Sequence, residues 1–401
     1  MTRPLNGPLL LGTLALASLL PACGPTRVQL SPRDVTNVVV RPKSGQLVFC
    51  PGEAFQVEVL AQLTNNTWCS STDRTRGCLG ETDAVIDAAS VQIQGSPGGL
   101  EGNPKKFIWN TSDDPLATAS TGVTLQGWIQ TSTPAGVERS PAAEAKLTPV
   151  YECQLKGLFG GGSSRNQGGS GTSGPDLDIA VTTLSTPFYP NAALIRVISG
   201  TQSFYYISPS PEQPIQITSR AEAGGPGAPG ENGRDGAAGK DASEPCARGG
   251  DGEDGTRGHF HGGSGGDGGD GGAGGSIRVT LDAAFADKLR GRVLATSQGG
   301  DGGESGPGGI GGRGGAAGRG GPSGPSCTSG GSAGSAGRDG VNGPSGRPGR
   351  PGSNGPPPVF GVASRAAMFG TELENLRRIE SSKRIEPTKK SLSVEISKVP
   401  R

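Results

Sequence analysis

Between Gly224 and Pro358 glycine returns at every third position in several separate tracts, a spacing few secondary structures can obey. Gly224, Gly227, Gly230, Gly233, Gly236 and Gly239 share one register, and Gly249, Gly252, Gly255 and Gly258 form a second. GGSGGDGGDGGAGGS is a third; a fourth runs from Gly303 to Gly324 and a fifth from Gly334 to Gly355. An α-helix repeats every 3.6 residues and a strand every two, so a period of three matches neither. It matches left-handed extended helices of the polyproline type, in which one residue per turn faces a crowded axis and must lack a side chain. Such helices wind together from three chains, or pack side by side within one chain as a polyglycine-II bundle. The breaks after Gly239, at His261 and at the apolar insert 277–298 interrupt a continuous triple helix and suit a single-chain antiparallel bundle capped by strand pairs. A region left partly disordered is the alternative.

The rest of the chain reads as mainly β. Glycine and proline number 73 and 33 of 401 residues, an excess confined to the tracts. From 28 to 158, short runs such as NVVVRP, AFQVEVLAQL, VQIQG and GVTLQGWIQ are separated by turn residues, and Phe55, Val57, Val59 and Ala61 alternate as one strand face. This stretch holds Trp68, Trp109 and Trp128 and predicts a β-sandwich-like domain. Residues 159–174 read as a flexible Gly/Ser linker and 175–222 as a small β meander. The repeat region is 224–358, with 277–298 expected to form two strands around a short turn or helix; 359–401 is a polar C-terminal tail with an amphipathic helix in SRAAMFGTELENLRRI.

Two resemblances add to this. Residues 1–22 place Arg3 before an apolar run, Leu9 to Leu20, that is too short to span a bilayer and ends at Leu-Pro-Ala-Cys. The site resembles the lipobox of bacterial lipoproteins, from which Pro21 departs, and implies that Cys23 is acylated and anchors the chain to a membrane. Gly24 stands where such lipoproteins carry the Asp that favours inner-membrane retention, which implies the outer membrane, on its periplasmic or surface face. GSAGRDGVNGPSGRPGRPGSNGPPP and GGPGAPGENGRDGAAGKD resemble bacterial collagen-like repeats, which implies a homotrimer. The Gly-Gly-X tracts, poor in proline, look more like polyglycine-II.

Six cysteines remain beyond Cys23, an even set that suits an oxidising compartment. They allow fifteen connectivities, and sequence neighbourhood suggests Cys50 with Cys153, Cys69 with Cys78, and Cys246 with Cys327. Their spacing matches no zinc pattern. The net charge of +1 gives no field to attract nucleic acid.

Catalytic chemistry finds little footing. His259 and His261 share one glycine-rich stretch, and GGSGG at 262–266 matches a GxSxG elbow only as any glycine tract would. GGDGGDGGA, with Asp267 and Asp270, approaches a calcium β-roll repeat but has Gly272 at its apolar position. No catalytic residue, metal or cofactor is therefore expected. The expectation is a non-enzymatic, lipid-anchored envelope or surface protein with a structural or adhesive role. The alternative is a module binding a glycan, peptide or envelope partner through aromatics around Trp68 or Tyr205 and Tyr206, displayed on a glycine-rich spacer.

Overall fold

The computed structural model describes residues 25–101, 106–254 and 263–382. Twelve strands build the head: β1 (Thr26–Val28), β2 (Val35–Pro42), β3 (Val48–Phe49), β4 (Ala54–Leu63), β5 (Trp68–Ser70), β6 (Ala84–Ile86), β7 (Val91–Ser96), β8 (Gly99–Leu100), β9 (Ile108–Asn110), β10 (Val123–Thr133), β11 (Gly136–Arg139) and β12 (Ala143–Pro149). One five-stranded sheet runs β11-β10-β12-β3 with β7 also on β10; the other runs β2-β4-β9-β8 with β5 on β4. Val57, Val59 and Ala61 are fully buried between them, with Phe55 packed at the margin, so the alternation of β4 is the core face. On the reverse face of β4, Glu58 is buried too; its carboxylate takes Arg41 at 2.9 Å and the Ser70 hydroxyl at 2.7 Å, which meets the cost of removing the charge from water.

A second sandwich follows, built from β13 (Lys156–Gly160), β14 (Leu177–Leu184), β15 (Ala192–Ser199), β16 (Gln202–Ser208), β17 (Ile215–Arg220), β18 (Ile277–Asp282), β19 (Val293–Gln298) and β20 (Val359–Ala363). The meander expected over 175–222 covers β14 to β16. β17 instead joins the parallel sheet β13-β17-β19, while β18 and β20 extend the other sheet to β16-β15-β14-β18-β20. The insert does form two strands around a helical turn, α2 (Ala286–Leu289), after the short α1 (Pro115–Thr118) of the head, but its strands enter different sheets. The tail begins later than its polar composition implies: β20 is a sheet strand, and α3 (Arg365–Phe369) and α4 (Leu373–Ser381) bury Met368, Phe369, Leu376 and Ile379 on the sheet's outer face. Those few apolar residues, spread among charged ones, escaped a composition argument.

The same cluster joins the two sandwiches. Leu116, Ala119 and Tyr151 of the head pack with Leu184, Ala192 and Ile207, and Tyr151 meets the Tyr189 ring at 5.3 Å. All three disulfides form: Cys50–Cys153, Cys69–Cys78 and Cys246–Cys327.

The glycine tracts lie side by side as five extended rods: rod 1 (166–174), rod 2 (224–242), rod 3 (249–254 and 263–275), rod 4 (299–321) and rod 5 (331–355). Rods 1, 3 and 5 are parallel and feed β14, β18 and β20; rods 2 and 4 are parallel and leave β17 and β19. Each sheet of the sandwich thus continues into one layer of rods, with the layers antiparallel to each other. Rod 1 occupies the segment read as a flexible linker. Gly171 and Gly174 donate to the carbonyls of Asp270 and Ala273, both at 2.8 Å, and Gly225 donates to Gly169. Gly168, Gly171 and Gly174 carry the three-residue spacing, but three glycines in a serine-rich stretch are too few for the period to stand out.

Candidate functional site

The rods are built on hydrogen-bond ladders, each contact between two rods using every third N–H. Within a layer, Gly224, Gly227, Gly230 and Gly233 of rod 2 donate to Asp301, Glu304, Pro307 and Ile310 of rod 4, and Gly268 and Gly271 of rod 3 to Arg347 and Arg350 of rod 5. Between layers, Gly303 and Gly318 of rod 4 donate to Gly269 and Gly250, and Gly334 and Gly349 of rod 5 to Gly318 and Gly303, at 2.8–2.9 Å. Glycine demand follows the number of neighbours. Rod 4 lies against rods 2, 3 and 5 and is written Gly-Gly-X; among the described residues rod 5 bonds rods 3 and 4 and needs one glycine per turn. The compositional split between the tracts thus reports interior against edge position.

The aspartates finish the ladder. Along the rods, aspartate carboxylates accept the N–H of the residue across the layer. Asp235 and Asp241 take Arg313 and Arg319 at 2.7 and 2.6 Å, while Asp251 and Asp254 take Ser335 and Arg338, both at 2.7 Å. Asp267 and Asp270 take Arg347 and Arg350 at 2.7 Å, so these two carboxylates close backbone bonds in the structure. Among the described residues no group of three or more His, Cys, Asp or Glu is placed to hold a metal. Each acid tract faces an arginine-bearing one, so the exposed bundle surfaces carry alternating charge.

Two carboxylates make the bundle acid-sensitive. The backbone N–H of Ser335 holds the Asp251 carboxyl below its ordinary value of 3.8, and the Ser276 hydroxyl and N–H do the same for Asp176, which joins rod 1 to β14. A carboxyl whose folded pKa is depressed contributes stability above its unfolded pKa and loses it as pH falls through the folded one. The melting temperature is therefore expected to hold between pH 7 and about 4.5 and to fall below about pH 3.8. Asp251→Asn, which keeps an acceptor oxygen, should shallow that fall in a circular-dichroism melt series.

The far end of the bundle is closed by the turns between rods 2 and 3 and between rods 4 and 5, tied together by Cys246–Cys327. At the head, residues 66–83 form a concavity of about 840 Å³ that includes Trp68, Arg74, Arg76 and Leu79. Cys69–Cys78 closes this loop, and Asp73 organises it by accepting the Thr75 N–H and hydroxyl at 3.0 and 2.6 Å and pairing with Arg76 at 3.3 Å. The Thr75 hydroxyl holds the Asp73 carboxyl below its ordinary range.

Tyr205 and Tyr206 lie elsewhere. The Tyr205 hydroxyl donates to Glu372 at 2.8 Å under the start of α4, and burial, with that carboxylate, pushes its pKa up to about 12. Tyr206 is half-buried against the sandwich core. Cys23, His259 and His261 lie outside the described residues. Comparison of the chain with protein-family models, with curated proteins and with solved structures gives no match.

Proposed function

We propose that this chain is a lipid-anchored bacterial envelope protein with a structural or adhesive role, in which a single-chain bundle of polyglycine-II helices forms a stiff rod held away from the membrane. The observation that carries the reading is the two-layer ladder, which satisfies glycine N–H groups within one chain and continues the two sheets of a disulfide-closed sandwich. Rod 4 spans residues 299–321, about 70 Å at the polyproline rise of about 3.1 Å per residue. The head packs on the end of the second sandwich away from the rods, through Leu184, Ala192 and Ile207. An acylated Cys23, three residues before β1, would hold the head near the outer membrane and the Cys246–Cys327 tip farthest from it. The reading assigns the chain no catalysis. It favours a monomer over a collagen-like homotrimer, because the rods bond to one another.

The test is the molar mass and maximum dimension of the chain starting after Cys23, by light scattering and small-angle X-ray scattering. The mass of one elongated chain is expected; three times that mass would replace the bundle by a trimeric stalk. Fatty-acid-analogue labelling should vanish in Cys23→Ala, and unchanged labelling would remove the anchor.

The concavity at Trp68 favours a second reading, in which the head binds a glycan, peptide or envelope partner. Saturable binding on an array of glycans and cell-wall fragments, lost in Trp68→Ala, would establish it.

A further inference from the structure

The turn that follows α2 buries a positive charge. Arg292 is 5% exposed, and an arginine cannot shed its proton to escape the cost of leaving water. Among the described residues its guanidinium donates to neutral groups, the Asn191 carbonyl and, at 3.2 Å, the Ser208 hydroxyl. An arginine has N–H donors to spare beyond those two bonds. Burial pulls the Arg292 pKa below its ordinary value, and Glu212, on the turn after β16, offsets part of that through space. Neutral acceptors and one distant carboxylate leave much of the desolvation cost standing.

The same residue lines a cavity of about 510 Å³ at the end of the second sandwich nearer the head, between the β14–β15 turn and α2. Leu184, Pro190, Phe285 and Leu289 give the cavity an apolar wall. Thr183, Ser185 and Asn191 add hydroxyls and an amide, and Lys288, exposed on α2, sets a second cation in the lining. The lining holds one carboxylate, Glu380 of α4, and Arg365 already takes both its oxygens, at 2.9 and 3.2 Å. An apolar wall with a few convergent polar groups, at this volume, is the make-up of a small-molecule site.

We propose that this cavity binds a small carboxylate carried on an apolar body, its oxygens on the Arg292 guanidinium and its body against Leu184, Phe285 and Leu289. A carboxylate matches the planar guanidinium with two parallel bonds, which a hydroxyl cannot make. Lys288 draws the same charge toward the lining, and Glu380, already paired, does little to repel it. A free short-chain acid and the C-terminal end of an apolar peptide share this chemistry.

The test is isothermal titration calorimetry of the full mature chain at neutral pH with sodium hexanoate, N-acetyl-leucine, hexanol and inorganic phosphate. One of the two acids or both should bind at a single site with a dissociation constant on the order of 1 mM or below, and the tighter acid names the source. Hexanol should bind at least about tenfold more weakly. Lys288→Met, on the surface, should weaken the acid about two- to fivefold with an unchanged melting temperature. Arg292→Met should abolish saturable binding; if that variant does not fold, the hexanol comparison and Lys288→Met decide. Hexanol or phosphate binding as tightly as the better acid overturns the proposal, and so does the absence of saturable heat with both acids.

Discussion

Gly315→Ala should cost on the order of 3 kcal/mol, at the upper end of what an added methyl does in a packed interior, while Gly314→Ala, one residue away, should cost less, because the rod it displaces lies at the edge of the bundle. Gly315 is buried, and a methyl there would run into the carbonyl oxygen of Ala237 in rod 2, a position fixed by reciprocal bonds: Gly236 donates to Arg313 and Asp235 accepts its N–H. Gly314 is half-buried and faces rod 5, where a methyl would run into the carbonyl oxygen of Gly337, so rod 5, at the edge of its layer, must be displaced outward to admit it. The chain records the same difference. Positions 300, 303, 306, 309, 312, 315, 318 and 321 are all glycine, whereas the rod 5-facing register already contains Ser305 and Ala317. Thermal melts of the two variants in non-reducing buffer decide the matter; equal losses would mean that the two registers are not distinct.

The repeat was readable because its physics is local: one crowded residue per turn leaves a mark at every third position. The cysteine pairs were readable because each lies near its partner either in sequence or in the order of segments. β4 was readable from strict alternation in Phe55, Val57, Val59 and Ala61. What the sequence hid depends on where a segment sits among its neighbours. Rod 1 is too short to declare its period, and β13 and β17 look like any half-buried strands, with nothing local to say that they pair in parallel with each other and β17 with β19. The aspartates of the ladder resembled possible calcium ligands because a carboxylate spaced to accept a neighbour's N–H and one spaced to ligate a cation differ only in what lies across from them. Tyr205 and Tyr206 drew attention as an aromatic pair, but α4, which covers Tyr205, has its few apolar residues spaced on one face amid charges.

Of the three disulfides, Cys50–Cys153 should matter most to the whole fold. It closes a loop of 103 residues, for which the chain-entropy relation gives about 4.7 kcal/mol, against about 2.7 kcal/mol for the nine-residue separation of Cys69–Cys78. Cys246–Cys327, with a separation of 81, approaches the first figure by the same relation, but it sits at the free end of the rods, where the tip can fray without the sandwiches unfolding. Cys50 lies at the end of β3, paired with the last residues of β12, and Gln154 beside Cys153 donates to the Pro51 carbonyl at 2.9 Å. The bond therefore pins the segment that leaves the head to the point where β13 starts the second sandwich, next to buried Tyr151. Cys50→Ser/Cys153→Ser should lower the denaturant midpoint of head and second sandwich together, Cys69→Ser/Cys78→Ser should lower it less, and Cys246→Ser/Cys327→Ser should speed exchange in the amides of rods 2 and 4 near the tip with a small change in midpoint. A first variant no less stable than the second would show that the junction is held by the Tyr151 and Tyr189 packing and does not need the covalent link.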